Sequence, residues 1–269
     1  MKAVKIEDRW VGEGHPCFVI AEAGVNHDGD IGQAMRLVDA AASAGADAVK
    51  FQAFKAEKLA TPDAPKAAYQ ARATDASESQ YRMLKRLELS EDDHRKLSDY
   101  CRRRGILFLS TPYDEESADF LSGIGIPAFK VSSGDLTNHP FLEHLAGKGK
   151  PVLLSTGMSS LPEVGEAIGV LRKAGAKEIV LLHAVSCYPA DPADVNLKAI
   201  RTLSGEFDLP VGYSDHTLGV EVACAAVALG ACMIEKHVTL DRNLPGPDHR
   251  ASLEPGELET LVRGIRIVE

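Results

Sequence analysis

Short apolar runs alternate along the chain with longer segments whose apolar positions recur at helical spacing. Runs of about four to eight β-branched, aliphatic or aromatic residues are typical of buried strands. The predicted strands are residues 17–21, 48–52, 106–110, 128–131, 151–154, 179–185, 210–213 and 233–234. The predicted helices are residues 31–44, 90–104, 115–123, 140–146, 161–174, 197–204, 220–229 and 255–268. This alternation predicts an α/β fold, a single (β/α)8 TIM barrel over residues 1–269.

Local signals at the helix ends support this pattern. Ser90 precedes three acidic residues, as expected of an N-cap and first turn. Glycines at positions 45, 105, 175 and 230 follow predicted helices, where a C-cap needs a left-handed residue. An open doubly wound sheet is the alternative, but no G-x-G-x-x-G motif follows the first strand. The segment of residues 55–88 is longer than an ordinary βα loop. We therefore predict an elaborated loop after strand two, with a lid as one interpretation.

Composition and charge narrow the function. The net charge of −9 argues against a nucleic-acid partner, because no basic excess exists to neutralise phosphates. The N-terminus lacks the apolar region of a signal peptide, and the longest apolar stretch, residues 222–231, is too short for a membrane span. Five cysteines without a C-x-x-C pair predict buried, reduced thiols. A cytoplasmic protein without a membrane partner is expected.

Two histidines stand at the ends of neighbouring predicted strands. A strand–helix–strand unit over residues 211–240 delivers His216 and His237 to the same edge of the sheet. Two converging imidazoles form a half-site for a divalent metal; the alternative is that each histidine only hydrogen-bonds at a strand end. Manganese or magnesium is favoured over zinc, since a closed tetrahedral ligand set is absent. His183, among leucines and an alanine, is interpreted as a packed core histidine.

Two lysines lie within otherwise apolar strands. Lys50 and Lys130 require an anion, because an unpaired buried charge is strongly disfavoured. One alternative is an ion pair with Glu22 or Glu235. The other is a cradle for a phosphate or carboxylate ligand, with backbone amides near Gly134 and Gly157 and hydroxyl donors on nearby strand ends. These donors are Thr111, Ser133, Ser155 and Ser214.

Several motifs together resemble one enzyme family. They are residues 20–29 (IAEAGVNHDG), 49–52 (VKFQ), 109–112 (LSTP), 130–134 (KVSSG), 154–158 (LSTGM), 212–217 (GYSDHT), 235–237 (EKH) and 246–249 (GPDH). In this order, over nearly the whole chain, they resemble the sialic acid synthase family. These enzymes condense phosphoenolpyruvate with an N-acetylmannosamine-type sugar.

The resemblance implies roles for the matching positions. His216 and His237 are similar to the ligands of a divalent ion, usually manganese, with magnesium as the alternative. The phosphoenolpyruvate cradle is implied at Lys50, Thr111, Lys130, Ser133, Ser155 and Ser214. The sugar contacts are implied at Glu22, Gln52, Tyr188 and Asp248. Asp135 stands where the family often has a glutamate proposed to handle protons around the attacking water.

Two departures from the family pattern affect the expected substrate and assembly. Ser186, in the segment that also carries Tyr188, replaces an asparagine of sialic acid members and leaves the acceptor class open. The small antifreeze-like domain that usually follows the barrel is absent from this chain, which ends at Glu269. In the family that domain closes over the partner subunit's site, so the resemblance also implies a homodimer.

The residues and the resemblance together predict a phosphoenolpyruvate-dependent synthase, a transferase that makes a nonulosonic acid and phosphate from an N-acylated amino sugar. Lewis-acid activation of the sugar's aldehyde suits two histidine ligands with open metal positions, and the lysines suit the phosphate. Glu22, Asp135 or Asp248 could move protons. Two alternatives remain open: a metal-dependent sugar-phosphate aldolase or isomerase on the same barrel, and a catalytically weak ligand-binding subunit.

Overall fold

The computed structural model describes residues 3–75 and 77–269. Its strands are β1 (Val4–Ile6), β2 (Arg9–Val11), β3 (Phe18–Gly24), β4 (Ala48–Ala53), β5 (Leu107–Pro112), β6 (Phe129–Val131), β7 (Val152–Ser155), β8 (Ile179–Ala184), β9 (Val211–Asp215) and β10 (Met233–His237). Strands β3 to β10 pair in parallel in the order β5-β4-β3-β10-β9-β8-β7-β6. Because β5 and β6 also lie side by side, the sheet closes into a nearly complete eight-stranded barrel, which confirms the predicted fold.

The predicted helices are all present. The helices are α1 (Ile31–Ser43), α2 (Ala56–Leu59), α3 (Ala68–Ala73), α4 (Gln80–Leu87), α5 (Glu91–Arg104), α6 (Glu115–Gly123), α7 (His139–Ala146), α8 (Leu161–Lys173), α9 (Ala199–Phe207), α10 (Glu221–Ala228) and α11 (Pro255–Val268). Ser90 is the N-cap of α5, and its hydroxyl oxygen accepts a hydrogen bond from the Asp93 backbone amide at 3.1 Å. The same helix ends at Gly105, which has a φ of 71°. The local cap signals therefore identified this helix correctly.

Strand alternation decides which side chains reach the functional end of the barrel. Phe18 and Ile20 of β3 point inward and belong to the inner apolar core, whereas Val19 belongs to the outer core under the helices. The next inward position on β3 is Glu22, beyond the apolar layers. In β10 the same period places Met233 in the inner core, and Glu235 and His237 follow at the open end. Polar side chains therefore collect where the strands end.

Two features go beyond the predicted pattern. An antiparallel hairpin of β1 and β2 precedes the barrel, and its Val4, Ile6 and Val11 pack into the inner core. Residues 55–88, called the insert below, are not an irregular loop but carry the short helices α2, α3 and α4. Met83 and Leu87 of α4 anchor the insert in a separate apolar cluster. A short hairpin and short helices have weak periodicity, which explains why their pattern was not recognised.

The prediction that the cysteines are buried is wrong for three of the five. Cys17 and Cys101 are buried free thiols as predicted, but Cys187 is exposed, because it lies in the loop after β8 rather than in a strand. Cys224 and Cys232 are partly exposed. In the part of the chain that the structure describes, no helix has the length and apolar character needed to cross a bilayer.

Candidate active site

A cavity of about 460 Å³ opens at the carboxyl ends of the barrel strands. Its volume falls within the range of roughly 300–1,000 Å³ that small-molecule sites occupy. Most of the predicted site residues line it: Glu22, Lys50, Gln52, Thr111, Lys130, Ser133, Ser155, Ser186, Tyr188, Ser214, His216, His237 and Asp248. Residues from eight different strands and their loops thus face one space, as expected of the functional end of a TIM barrel.

Lys50 lies at the floor of this cavity. Its Nζ is 2.7 Å from Glu22 Oε2, 3.7 Å from Glu235 Oε2 and donates to Thr111 Oγ1 at 3.0 Å. Its side chain is 3% exposed, so this charge is held almost entirely by neighbouring protein groups. The ion-pair alternative considered for the lysines is therefore present in the structure, but it does not close the cavity.

Lys130 faces Lys50 from the opposite side of the Glu235 carboxylate. Its Nζ donates to Ser155 Oγ at 2.7 Å and lies 3.8 Å from Glu235 Oε1. Ser214 Oγ donates to the same Glu235 oxygen at 2.9 Å. Glu235 thus links the two lysines and a serine that were predicted from separate strand ends.

Burial and mutual contacts shift the pKa of each charged group on this floor. Burial raises the pKa of Glu22 well above its usual range, despite the opposing Lys50 ammonium, so the neutral acid becomes accessible near neutral pH. Burial also favours neutral Glu235, but Lys130 and Lys50 outweigh it and hold its pKa below the usual range. Burial lowers the pKa of Lys130 despite the nearby Glu235, whereas Glu22 and Glu235 outweigh burial at Lys50 and raise its pKa. When Glu22 is protonated and both lysines are charged, two ammonium groups face one carboxylate, which favours the binding of an anion between the lysines.

The two predicted metal ligands meet at one side of the floor. The ring centroids of His216 and His237 are 5.7 Å apart. His216 Nδ1 donates to the Val185 carbonyl at 2.7 Å, which leaves Nε2 with its lone pair toward the cavity, 3.4 Å from Ser214 Oγ. Burial lowers the pKa of His237 to about 3, helped by the neighbouring His216 and Lys50, and burial also lowers the pKa of His216. Both imidazoles are therefore neutral, as metal ligands must be.

These residues fit a divalent ion as a half-site. The buried His237 Nδ1 has no hydrogen-bond partner among the described residues, and a buried polar atom of this kind is usually satisfied by a ligand, water or an ion. No cluster of three or more His, Cys, Asp or Glu side chains suited to an ion exists within residues 3–75 and 77–269. Two histidines would therefore hold the metal, and water and substrate oxygens would supply the remaining ligands.

The hydroxyl groups of Ser133 and Ser186 converge on Gly157. The Gly157 amide donates to Ser133 Oγ at 3.1 Å. A Cβ at position 157 would lie 2.7 Å from both serine hydroxyls and 3.2 Å from the Ala184 carbonyl oxygen. Only glycine permits this close approach, which brings donors from three loops together beside Lys130.

Tyr188 covers the histidine pair. Its ring is 4.3 Å from the His216 ring and 6.0 Å from the His237 ring. Asp248 lines the same side of the cavity, and burial raises its pKa to about 6. A protonatable carboxyl group and an aromatic face suit a neutral, hydroxyl-rich ligand.

One predicted site residue lies apart from the others. Asp135 belongs to the 3-10 turn Ser133–Asp135 and is not among the residues that line the cavity. Asp135 Oδ2 accepts a hydrogen bond from the Ser132 hydroxyl at 2.8 Å, so Asp135 stabilises this turn. His183 is likewise a packed residue, since its Nε2 contacts the Val195 carbonyl oxygen at 2.7 Å and its ring lies beside Tyr213.

Glu235 and Tyr69 are among the cavity-lining residues to which the sequence reasoning gave no role in the site. Glu235 was considered only as an ion-pair partner, although it precedes His237 by two positions and must share its inward face. Tyr69 of the insert stacks on Tyr188 at 5.1 Å. No local pattern indicates Tyr69, because its helix reaches the site only through the tertiary fold.

Comparison with known proteins identifies the family. The model of the NeuB family matches residues 37–269. This chain belongs to the NeuB family. It is 52% identical over 262 residues to N,N'-diacetyllegionaminic acid synthase of Legionella pneumophila, which covers 96% of this chain and 74% of that protein. It is 42% identical over 263 residues to human N-acetylneuraminate-9-phosphate synthase, covering 97% of this chain and 72% of the human protein.

Solved structures agree with this assignment. The N-acetylneuraminic acid synthetase of Leptospira borgpetersenii, solved with citrate, superposes with a TM-score of 0.90 at 37% identity, covering 99% of this chain and 88% of that chain. A truncated 3-deoxy-D-arabino-heptulosonate 7-phosphate synthase of Thermotoga maritima has a TM-score of 0.77 at 16% identity, covers 99% of this chain and 91% of that chain, and shares the fold alone. The resemblance to sialic acid synthases is confirmed, and this NeuB barrel is of the type that makes sialic-type, or nonulosonic, acids.

Proposed function

We propose that this NeuB protein condenses phosphoenolpyruvate with an N-acylated amino sugar and releases inorganic phosphate. The enol carbon of phosphoenolpyruvate bonds to the sugar's aldehyde carbon, water adds to the carbon that carried the phosphate, and phosphate leaves with cleavage of its C–O bond. The observation that carries the proposal is the meeting of two buried lysines with two neutral histidines in one cavity.

The lysine side of the floor suits the anionic donor. Lys50 and Lys130 face the Glu235 carboxylate from two sides, and protonation of Glu22 leaves these groups with a net positive charge when both lysines are charged. The hydroxyls of Ser133 and Ser186 and the loop at Gly157 extend this positive region with hydrogen-bond donors. Fixed charges of this kind also stabilise the phosphate as it leaves, because they need no reorganisation during the reaction.

The histidine side of the floor suits the acceptor. A divalent ion held by His216 and His237, manganese in this proposal and magnesium as the alternative, supplies Lewis-acid polarisation of the aldehyde when bound. Glu22 pairs in register with His237, lies 2.7 Å from Lys50 through Oε2 and lines the cavity. With its raised pKa, Glu22 can hold a proton at Oε1 and donate it to the sugar oxygen as the bond forms.

Gln52, Tyr188 and Asp248 line the acceptor side and are proposed to orient the sugar. We propose that Asp135 supports the turn that carries Ser133 and does not itself move protons, since it does not line the cavity. The homodimer expected from the resemblance also belongs to this proposal.

Phosphate release tests the function directly. The chain is incubated with phosphoenolpyruvate, manganese and one sugar at a time: N-acetylmannosamine, its 6-phosphate, or a diacetamido sugar of the legionaminic or pseudaminic type. We expect phosphate release with at least one sugar, no release without a sugar, and loss of release on chelation that added manganese restores. Conversion of a sugar phosphate without phosphoenolpyruvate would instead support an aldolase or isomerase. Thermal stabilisation by phosphoenolpyruvate without any phosphate release would support a binding subunit.

The Gly157→Ala variant tests the donor cradle. The added methyl group must displace the hydroxyls of Ser133 and Ser186 from their positions beside Gly157. We expect the KM for phosphoenolpyruvate to rise by about tenfold, while the KM for the sugar changes little. The matched control is Gly169→Ala in α8, where a Cβ meets no atom within 4 Å. An unchanged KM for phosphoenolpyruvate in Gly157→Ala would remove these serines from the donor site.

A further inference from the structure

The loop between β10 and α11, residues 238–254, forms part of the cavity wall. Pro247 and Asp248 of this loop line the cavity. The Asp248 side chain is buried, and its carboxyl group accepts no hydrogen bond from any residue that the structure describes. The position of this carboxyl group is therefore set by the backbone on either side of it.

The residue after Asp248 is tied to a different loop. His249 is fully buried, and its Nε2 lies 3.2 and 3.1 Å from the two carboxylate oxygens of Asp28, which belongs to the loop between β3 and α1. Burial alone would raise the pKa of Asp28, but the hydrogen bonds from His249 and Gln33 outweigh burial and lower it. Asp28 therefore offers His249 a charged acceptor.

The other ring nitrogen of His249 is held within its own loop. His249 Nδ1 lies 2.6 Å from the Thr239 hydroxyl oxygen. That hydroxyl donates to the Asp241 carbonyl oxygen at 3.0 Å and accepts from the Asp241 amide at 3.2 Å. Since the Thr239 proton is engaged by Asp241, the hydroxyl oxygen is left to accept a hydrogen bond from Nδ1. The imidazole is thus fixed at both nitrogens, between the β10–α11 loop and the β3–α1 loop.

Gly246 closes over the contact between Asp28 and His249. A Cβ at position 246 would lie 2.6 Å from Asp28 Oδ1 and 2.6 Å from His249 Nε2, so a side chain here would push the two partners apart. Pro247 and Asp248 follow directly in the chain. The segment that reaches the cavity therefore packs on this contact at its start and takes part in it at its end.

A second connection holds the same segment from the same side. Asn26 Nδ2 donates to the Val238 carbonyl oxygen at 2.8 Å and to Ser252 Oγ at 2.8 Å. Ser252 Oγ in turn donates to the Asp248 carbonyl oxygen at 2.7 Å. Asn26 lies two positions before Asp28 in one turn. That turn therefore holds the β10–α11 loop both at the backbone of Asp248 and at the side chain that follows it.

We infer that Asp28 and His249 are positioning residues whose contact sets the Asp248 carboxyl group in the cavity. Neither of them lines the cavity, so any effect on a bound ligand must pass through the segment that they hold. The placement of this segment is independent of the reaction. Its effect on turnover rests on the proposed function, in which Asp248 orients the sugar.

Hydrogen exchange followed by mass spectrometry tests the placement without any substrate. In His249→Ala we expect the amides of residues 241–253 to exchange about tenfold faster than in the wild type, with no change in the barrel strands. Asp28→Asn, which keeps the shape of the side chain and removes its charge, should act in the same direction. Tyr100→Phe is the matched control, since it removes a hydrogen bond to the Asp39 carboxylate at 2.9 Å between the outer helices α5 and α1. Unchanged exchange in both His249→Ala and Asp28→Asn would overturn the inference, whether or not the wild type releases phosphate.

A double-mutant cycle with Asp248 tests how His249 acts on turnover. We expect His249→Ala and Asp248→Ala each to raise the KM for the sugar by about tenfold, with little change in the KM for phosphoenolpyruvate. In the double variant the two effects should not add, because His249 acts through a carboxyl group that is no longer present. Additive effects, or equal increases in both KM values, would contradict the inference. A wild type that releases no phosphate with any sugar would refute the proposed function, and the exchange measurement would still decide the placement.

Conservative replacements of His249 separate its two contacts. The amide nitrogen of glutamine can take the place of Nε2 and donate to Asp28, whereas the shorter asparagine can replace only Nδ1 beside Thr239. We expect His249→Gln to recover most of the sugar KM and of the exchange protection, and His249→Asn to recover little of either. Equal losses in the two variants would show that the Asp28 contact does not place the segment, and would overturn the inference.

Discussion

Replacing Lys236 with methionine is expected to lower the melting temperature by roughly 10 °C. Lys236 lies on β10, and its Nζ is 2.6 Å from Asp215 Oδ2 on β9 and donates to the Thr217 carbonyl at 2.7 Å. The two side chains are 1% and 0% exposed. Removing the cation leaves a buried carboxylate without its charge partner, a loss of about 3–5 kcal/mol, and each kcal/mol corresponds to about 2–4 °C for a domain of this size.

Because of its position, loss of the Lys236–Asp215 ion pair is also expected to disturb the active site. Asp215 precedes His216 and Lys236 precedes His237, and the two residues are partners in the β9–β10 register. Because strand residues alternate, this pair lies outside the barrel while both histidines face the cavity. The ion pair therefore holds together the two strand ends that carry the proposed metal ligands.

Scanning calorimetry at one pH and protein concentration checks this result. The control is Lys96→Met, since Lys96 is 59% exposed in its pair with Asp93 and such surface pairs contribute at most about 1 kcal/mol. The Lys236→Met and Asp215→Asn double variant should recover part of the loss, because no unpaired charge remains and an amide oxygen can still accept from the Thr217 amide and hydroxyl. Similar melting temperatures for Lys236→Met and Lys96→Met would show that the buried pair adds no stability.

The His237→Ala variant is expected to lose about 1,000-fold in kcat for phosphate release. The proposed activation of the aldehyde needs both His216 and His237, and Lewis-acid stabilisation supplies several kcal/mol of the barrier. About 4 kcal/mol corresponds to this factor of 1,000. His237 Nδ1 is buried and has no hydrogen-bond partner among the residues that the structure describes. Removing the ring should therefore not destabilise the fold through loss of a hydrogen bond at this atom.

Manganese binding and turnover are measured together in this variant. Calorimetric titration should show weakened manganese binding in His237→Ala, while phosphoenolpyruvate still binds through Lys50 and Lys130. His144→Ala, which removes a histidine of α7 that pairs with Asp119 of α6, is the control and should retain turnover. Full turnover in His237→Ala at saturating phosphoenolpyruvate and sugar would refute the metal role.

Much of the fold could be read from local patterns. Residues 17–21 and 48–52 predicted β3 and β4 because a strand buried on both faces is a short continuous apolar run. Residues 115–123 and 255–268 matched α6 and α11 because their caps and periodicity agree. The hairpin of β1 and β2 and the helices of the insert were missed, since segments of three to eight residues carry little periodic signal.

Part of the candidate site could also be predicted from the sequence. Lys50 and Lys130 could be found because a lysine in an apolar strand needs a partner, and His216 and His237 because parallel strands end at one edge. Glu235 could have been found from its spacing to His237. Tyr69 could not, because its contact with Tyr188 joins positions far apart in the chain.

The sequence by itself determined the barrel, the end of the barrel at which polar groups collect, and the residue types available there. Strand periodicity and parallel topology are enough for this, since they fix the direction and face of every strand side chain. Only the tertiary structure decided how these groups affect one another. The pKa shifts of Glu22 and Glu235 are opposite although both carboxylates are buried, because Glu235 is stabilised by Lys130, Lys50 and the Ser214 hydroxyl, whereas Glu22 has chiefly Lys50 and is repelled by Glu235. The place of the insert beside the cavity likewise depends on long-range packing, which brings the Tyr69 ring against the Tyr188 ring.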